Sequence, residues 1–334
     1  MVDLGVEWLG LTLRSPLVVG ASPLTDTAAS AHRLVEAGAG AVVLRSLFEE
    51  QIVADQLAAH RFFDAHVDMN AEARSFMADS DVFSVASTPT IDRLRALKDT
   101  LDVPVIGSLN GVTPGGWVHH AGELADAGAD AIELNLYDVV TDPGESGQDV
   151  EHRQLRVVAS VVDEVDVPVS VKLSPWYTSV PAFVRRVESE GAAGVVVFNR
   201  FHQPDVDLST LDVDSHVVLS TSAELPQRLH ALAVLHDRTG MSLAAVGGVH
   251  DGHDAAKAIL CGAHVVQVVS AALVGGPEAF GRIHTELAGW LDEQGYVDLA
   301  EARGATSLAH AADPHAWERL NYAQLLASWR PPRR

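Results

Sequence analysis

The stretch that decides the fold is "DAGADAIELNL", residues 126–136, because its arrangement recurs three more times along the chain. Gly128 stands where a helix needs a left-handed residue at its end, and a run of strand-forming residues follows it. The other copies are "EAGAGAVVLRS" at 36–46, "SEGAAGVVVFNR" at 189–200 and "LCGAHVVQVVS" at 260–270. A helix end followed at once by a strand, repeated along a chain, indicates one supersecondary unit used several times.

Four further apolar runs complete a set of eight strands: "SPLVVGAS" at 15–22, "DVPVIGSLN" at 102–110, "DVPVSVKLS" at 166–174 and "MSLAAVGG" at 241–248. Most strands precede a stretch with helical spacing, and continuously apolar strands are typical of a parallel sheet covered by helices. Eight such units over roughly 280 residues predict a closed (β/α)8 TIM barrel. The alternative is an open doubly wound sheet, but no break divides the pattern into two halves.

Composition and charge narrow the class of protein. The chain has 334 residues, 47% of them hydrophobic, and a formal net charge of −22, which excludes nucleic acid and anionic membrane surfaces as partners. No segment approaches a membrane span or a secretory leader. The single cysteine, Cys261, allows neither an internal disulfide nor a cysteine metal cluster. We therefore expect one cytoplasmic globular domain over residues 1–334.

Three regions exceed the minimal barrel unit. Residues 47–90 follow the second predicted strand, and residues 201–223 follow the sixth. Both insertions lie on the side of the strand carboxyl ends, where barrels keep their active sites. A C-terminal tail from about residue 296 to 334 contains "DPHAWERLNYAQLLASW", and its aromatic residues predict that it packs against another surface.

Polar residues gather at the carboxyl ends of the predicted strands. Three of the five asparagines and one of the three lysines occupy this rim, although both residue types are scarce in the chain. Any one of them could merely cap its strand, but a ring of hydrogen-bonding groups at a barrel mouth suits a large polar ligand. In strand order the rim consists of Ala21 and Ser22, Arg45 and Ser46, Asn110, Asn135, Lys172, Asn199, Gly247 and Gly248, and Ser270.

The rim also indicates the chemical character of the ligand. Gly247, Gly248 and Ser270 follow strands seven and eight, where barrels commonly hold a phosphate on loop amides and a helix N-terminus. Lys172 offers charge or a donor to a ring, and the asparagines suit an amide- or imide-like edge. A phosphate at one end and a heteroaromatic imide at the other describe flavin mononucleotide, FMN.

Several motifs resemble those of class 1 dihydroorotate dehydrogenases, and most closely the branch of dihydroorotate dehydrogenase-like proteins. They include "SPLVVGAS", "SLFEEQI", "ELNLYD", "VKLSPW", "FNRFHQPDVDL", "STSAEL" and "VGGVHDGHDAAKAILCGA", and their order covers nearly the whole chain. The resemblance implies an FMN-dependent oxidoreductase acting on dihydroorotate or on a related CH–CH bond of a small cyclic amide-containing substrate. It also implies an unidentified electron acceptor and a homodimer.

The resemblance implies roles for individual residues, motif by motif. Arg45 stands where the family has a lysine near flavin and substrate, and its planar fork makes the exchange non-conservative. Lys172 is implied in both catalysis and cofactor contact. Glu133 lies deeper on its strand, and we expect it to pair inside the barrel, with Lys172 as a candidate partner. The implied FMN-binding residues are Ala21, Ser22, Asn110, Asn135, Lys172, Asn199, Ser222, Gly247, Gly248, Ser270 and Ala271.

The pattern departs from the family at the implied catalytic base. Where the family has a loop cysteine that removes a proton from dihydroorotate, this chain has Asp138. Asp138 is either a general base or a residue that caps the turn in "YDVVTDPGESG". The asparagines with which the family reads its substrate are reduced here to Asn70. We therefore expect a bound flavin that dihydroorotate itself does not bleach.

Two other functions stay open at this point. One is a flavin-binding barrel that lacks dehydrogenase activity, since the usual base is missing. The other is a phosphate-binding barrel lyase or isomerase with Lys172 as Schiff-base nucleophile, against which the asparagines argue. No metal site is expected, because the pairs His119–His120 and His250/His253 lack carboxylate or cysteine companions in the sequence and should be solvated.

Overall fold

Eight parallel strands form the centre of the protein. The computed structural model describes residues 2–48, 88–110, 114–200, 204–214 and 217–317, together with Ala327 and Arg330. The strands are β1 Leu17–Val19, β2 Ala41–Val43, β3 Val105–Asn110, β4 Ala131–Asn135, β5 Val169–Leu173, β6 Gly194–Val197, β7 Ser242–Val246 and β8 Val265–Val268. Each pairs with the next, and β8 pairs with β1. The barrel is closed, so the predicted (β/α)8 fold is confirmed and the open sheet is wrong.

A layer of helices covers the outside of the barrel. The helices that follow the strands are α1 Ala28–Glu36, α2 Thr88–Thr100, α3 Pro114–Asp126, α4 Gly147–Glu164, α5 Val180–Ser189, α6 Leu225–Leu235, α7 Gly252–Leu260 and α8 Ser270–Glu293. The predicted left-handed ends of four of them are present. Gly38, Gly128, Gly191 and Gly262 have φ of 108°, 101°, 89° and 119°, a region that strains any residue with a Cβ.

A hairpin closes the amino-terminal end of the barrel. Strands Val6–Trp8 and Leu11–Leu13 pair antiparallel, and Trp8 is fully buried. The tip of the hairpin lies against the first residues of β6 and β7, because the Leu9 amide donates to Ser242 Oγ at 3.0 Å and the Leu9 side chain fills the space beside Gly194. Since this end is filled, a ligand has to enter from the carboxyl ends of the strands.

The insertions and the tail are described in part. Residues 49–87 of the first insertion lie outside the described residues, and so does Asn70. The second insertion contains an antiparallel hairpin, Asp205–Asp207 with Asp212–Asp214. In the tail, a short helix α9, Leu299–Ala302, precedes Trp317, whose indole Nε1 donates to the Thr306 carbonyl at 2.9 Å. No helix in the described part of the chain is long and apolar enough to cross a membrane.

One histidine ties two strands together at the filled end of the barrel. His264 Nδ1 accepts a hydrogen bond of 3.0 Å from the backbone amide of Leu243, and the His264 amide donates to the Leu243 carbonyl at 2.8 Å. Burial, followed by the charge of Arg303, lowers the pKa of His264 from its usual 6.5 to about 4. The ring is therefore neutral in the folded protein at neutral pH.

His264 should make the fold sensitive to mild acid. Between pH 6.5 and pH 4 the unfolded chain binds a proton on His264 that the folded protein does not, so its contribution is complete above pH 6.5 and falls with pH. The loss reaches at most roughly 3 kcal/mol. We expect His264→Asn, which keeps an acceptor near Nδ1, to flatten the pH dependence of the free energy of unfolding in urea. Parallel curves for the two proteins would contradict this assignment.

Candidate active site

Three of the predicted rim residues lie side by side at the mouth of the barrel. Asn110, Asn135 and Lys172 are register partners on β3, β4 and β5, so their side chains point to the same side of the sheet. All three are buried, at 8%, 5% and 5% exposure. Burial of an ammonium and two amides requires partners, and the neighbouring layer of the barrel supplies one of them.

Lys172 forms an ion pair with a fully buried carboxylate. Its Nζ lies 2.6 Å from Glu133 Oε1, and Glu133 is 0% exposed. The other carboxylate oxygen, Oε2, accepts a hydrogen bond from Gln267 Nε2 on β8. The expectation that Glu133 pairs inside the barrel is confirmed. Gln267 was not anticipated, although a lone polar residue in the apolar run "VVQVV" is a signal of this kind.

Two buried acceptor atoms at the mouth have no donor. Asn135 Oδ1 and Gln267 Oε1 lack a hydrogen-bond partner among the described residues. Gln267 lies beside Gly20, just after β1, and therefore near the open end. Unpaired buried acceptors cost free energy, so each fits a ligand that brings an N–H or O–H group. An imide edge provides such a donor.

Hydroxyl and amide groups meet at the ends of β7 and β8. Ser220 Oγ donates to Ser270 Oγ at 2.8 Å and accepts from the Gly248 amide at 3.2 Å. Ser270 is the first residue of the short opening segment of α8, which a non-helical residue, Gly276, separates from the rest of the element. Gly248 has φ of 84°, and a Cβ there would lie 2.6 Å from the Leu225 amide nitrogen. Together these groups form a cradle suited to an anion such as phosphate.

A buried arginine supports this cradle from behind. Arg228 is 4% exposed, and its Nε and Nη1 donate to the carbonyls of Val246 and Glu224 at 3.1 and 2.9 Å. Burial lowers the pKa of the Arg228 guanidinium, with Glu224 opposing that shift. The guanidinium approaches Gly247 and adds positive charge beside the cradle. Sequence reasoning missed both Ser220 and Arg228, because neither stands at a strand end.

The remaining predicted residues are placed around this centre. Ser222 turns away from the cradle and donates to Asp254 Oδ2 at 2.6 Å. Ser22 Oγ donates to the Gly20 carbonyl at 3.0 Å. Asn199 is half-buried, and its backbone N–H donates to the Leu173 carbonyl at 2.7 Å. Ala271 is buried in the first turn of α8, and Ala21 is partly buried after β1.

Arg45 lies at the rim, where a carboxylate holds it. Its Nη1 contacts Asp26 Oδ2 at 3.0 Å, and Arg93 lies 3.6 Å from the other oxygen of Asp26. The Arg45 side chain is half exposed. Among the described residues two guanidinium groups thus share one carboxylate, a local excess of positive charge within that set.

Asp138 is part of an ion-pair network after β4. Arg153 on α4 contacts Asp138 Oδ2 at 2.6 Å and also contacts Glu145. Asp138 borders a cavity of about 440 Å³, together with Val140, Trp176 and Tyr177. Burial raises the pKa of the Tyr177 hydroxyl, which donates to Gln154 Oε1 at 2.9 Å. The arginine fixes the direction of the Asp138 carboxylate beside this cavity.

The expectation of solvated, companionless histidines is wrong for His120. Its ring is buried on α3, and its Nδ1 lies 2.7 Å from Glu123 Oε2, one helical turn further on. The spacing i, i+3 on a helix brings the two side chains together, a contact that the sequence reading overlooked. His119, His120 and Glu123 form one group whose atoms could meet a cation, and His236, Asp237 and His310 form another.

The protein is a closed (β/α)8 barrel. Its buried polar centre and the anion cradle at its mouth define a site that suits a polar ligand. The sequence matches the family described as Dihydroorotate dehydrogenase over residues 4–291. The protein named dihydroorotate dehydrogenase B (NAD(+)), catalytic subunit, of Methanothermobacter thermautotrophicus is 28% identical, over 90% of this chain and 96% of that protein. Proteins of the same name from Methanosarcina mazei and Pyrococcus furiosus are 30% and 25% identical, over 90% and 91% of this chain and 93% and 98% of theirs. The chain belongs to the dihydroorotate dehydrogenase family, which confirms the resemblance of its motifs.

The contribution of the buried ion pair to stability can be tested by substitution in the protein without added ligand. Lys172→Met leaves the Glu133 carboxylate without its ammonium, and removing one partner of a buried pair costs about 3–5 kcal/mol. We expect the double variant Lys172→Met with Glu133→Gln to recover most of that loss, because no unpaired charge remains. The measurement is the free energy of unfolding in urea for both single variants and the double variant. Losses that simply add would show that the two side chains do not stabilise each other.

Proposed function

We propose that this protein is an FMN-dependent oxidoreductase of the dihydroorotate dehydrogenase type. Its family makes it an oxidoreductase that acts on a CH–CH group, and the flavin follows from the same membership. The observation that carries FMN is the pairing of an anion cradle at Gly248, Ser220 and Ser270 with unpartnered acceptors at Asn135 and Gln267. The first suits a phosphate, and the second suits the imide edge of the ring.

The residues of the chain divide the work of holding this cofactor. The Ser270 hydroxyl would donate to the phosphate, oriented by Ser220 and through it by the Gly248 amide, with Arg228 behind them. Asn135 and Lys172, with Gln267, would hold the ring. FMN supplies the capacity to take two electrons from a CH–CH bond. The proposed unit is one FMN-binding domain over residues 1–334, placed in the cytoplasm on its acidic composition and its single, buried cysteine.

The structure disfavours the Schiff-base alternative. A lysine nucleophile needs a neutral amine, which enzymes obtain by desolvation or by a neighbouring cation. Lys172 instead has a buried carboxylate, that of Glu133, 2.6 Å from its Nζ, so its neighbour is an anion and not a cation. The proposed substrate is dihydroorotate or a related cyclic amide, and the acceptor stays unidentified. NAD⁺ is the first acceptor to test, because it appears in the names of the relatives.

A visible absorption spectrum after reconstitution with FMN tests the cofactor. We expect flavin bands on the protein, and we expect reduction by a dihydropyrimidine other than dihydroorotate in anaerobic solution. Ser220→Ala should weaken FMN binding about tenfold or more, since a hydrogen bond to a charged group is worth ~1.5–3 kcal/mol. Ser222→Ala is the matched control and should change affinity less than threefold, because Ser222 faces Asp254. Absence of flavin bands would overturn the cofactor assignment, and bands that no dihydropyrimidine bleaches would favour a flavin barrel without dehydrogenase activity.

Asp138 is the proposed general base, and its neighbour provides the control. Asp138 and Glu145 share Arg153, so each substitution removes one carboxylate from the same guanidinium. We expect Asp138→Asn to slow flavin reduction by the substrate about 10²–10⁴-fold, the usual worth of a positioned base. Glu145→Gln should slow it only a few-fold. Equal effects of both variants in stopped-flow reduction would assign Asp138 to loop structure alone.

We also propose a homodimer, supported by an exposed apolar hairpin. In the second insertion Val206, Leu208, Leu211 and Val213 are 56–85% exposed, more apolar surface than a small hairpin leaves in water without a partner. Light scattering should give twice the mass of the chain. Leu208→Glu with Leu211→Glu should shift the protein to a monomer, whereas an unchanged mass would exclude this hairpin from the interface.

A further inference from the structure

Glu133 is a buried charge for which the proposed reaction has no direct use. It is fully buried one layer below the mouth, and both of its oxygens have donors, from Lys172 and from Gln267. Replacing such an ion pair by apolar side chains is often neutral or stabilising, so the pair needs a reason beyond the stability of the fold. The role inferred for Glu133 rests on the proposed FMN function.

We propose that Glu133 is a positioning residue that directs the Lys172 ammonium and cancels its charge beneath the flavin ring. Gln267 completes the arrangement, because it binds the second carboxylate oxygen and offers its own free acceptor to the ligand. The three side chains come from β4, β5 and β8, and thus span the interior of the barrel. Glu133 acts on the cofactor only through Lys172.

The geometry gives Lys172 one defined direction. Glu133 and Asn135 stand two residues apart on one face of β4, and Lys172 is the register partner of Asn135. The Lys172 ammonium donates one of its three N–H groups to Glu133, on the side away from the mouth. Two N–H groups remain for a ligand at the mouth. A long, flexible side chain is thereby fixed before the cofactor binds, as preorganised sites require.

The charge has a consequence that a purely structural role lacks. A reduced flavin that carries an additional negative charge is favoured by a nearby cation, and a paired cation favours it less than a lone one. With Glu133 present, the pair sums to zero. With glutamine in place of Glu133, the positive charge of Lys172 has no counter-ion, so the reduced flavin is stabilised relative to the oxidised flavin. Glu133 therefore lowers the midpoint potential of the bound flavin.

The test is the midpoint potential of FMN bound to the full chain, measured at the same pH for every variant. Glu133→Gln should raise the ratio of reduced to oxidised flavin at a fixed potential at least tenfold, which is about 30 mV for a two-electron couple. Glu133→Asp keeps the charge, and its ratio should stay within threefold of the wild type even if it lowers stability. Adding Lys172→Met to Glu133→Gln should cancel the rise.

Ser170→Ala is the matched control. Ser170 is the register partner of Glu133 on β5, is fully buried, and donates an uncharged hydrogen bond to the Ile132 carbonyl. Its loss disturbs the same layer without a change of charge, so the potential should not move. If Glu133→Gln leaves the potential unchanged, or if Ser170→Ala shifts it equally, the positioning role is overturned. If the wild type binds no FMN, the proposed function fails first, and the two failures are distinguishable.

Discussion

The arrangement of side chains at the barrel mouth depends on one buried ion pair, Lys172 with Glu133, inside a closed sheet. A barrel interior is filled by side chains, and the register partners of Glu133 on the two neighbouring strands are the buried serines Ser108 and Ser170. A carboxylate in that surrounding is tolerable only if both of its oxygens receive donors, which fixes β4 against β5 and both against β8. The register of three strands is thus tied to the same contacts that place an ammonium under the mouth.

The filling of the barrel leaves a ligand only one end from which to enter. The hairpin with Trp8 fills the amino-terminal end, and Leu9 lies against β6 and β7. Two buried amide oxygens without a donor among the described residues lie toward the other end, on Asn135 and Gln267. Along its axis the interior is therefore filled by apolar side chains at one end and holds one ion pair in the middle. At the other end it is open and, in the part of the chain that the structure describes, keeps acceptors without hydrogen bonds. A ligand that brings donors completes the hydrogen bonding that the protein alone leaves unfinished.

The sequence predicted the barrel well, because the repeat and the left-handed glycines are local signals. It also predicted the rim, since the carboxyl ends of parallel strands must meet. It missed what depends on loop direction or on contacts between layers. Ser220 and Ser222 are two residues apart in "STSAEL", and only coordinates show that Ser220 faces Ser270 while Ser222 faces Asp254. Gln267 and Arg228 were missed for the same reason. His120 was also misjudged, since it is buried on α3 with Glu123 beside it.

The charges of the mouth oppose those of the whole molecule. The chain carries a formal net charge of −22, which repels a phosphorylated ligand at long range. At short range Arg228 supports the cradle and Arg45 with Arg93 exceeds the charge of Asp26. Salt screens exposed charges beyond about 10 Å at 0.1 M but hardly affects buried contacts. The field of the buried Arg228 is therefore screened less than the long-range repulsion, so a bound anion would be held by the contacts of the cradle and not by attraction from a distance.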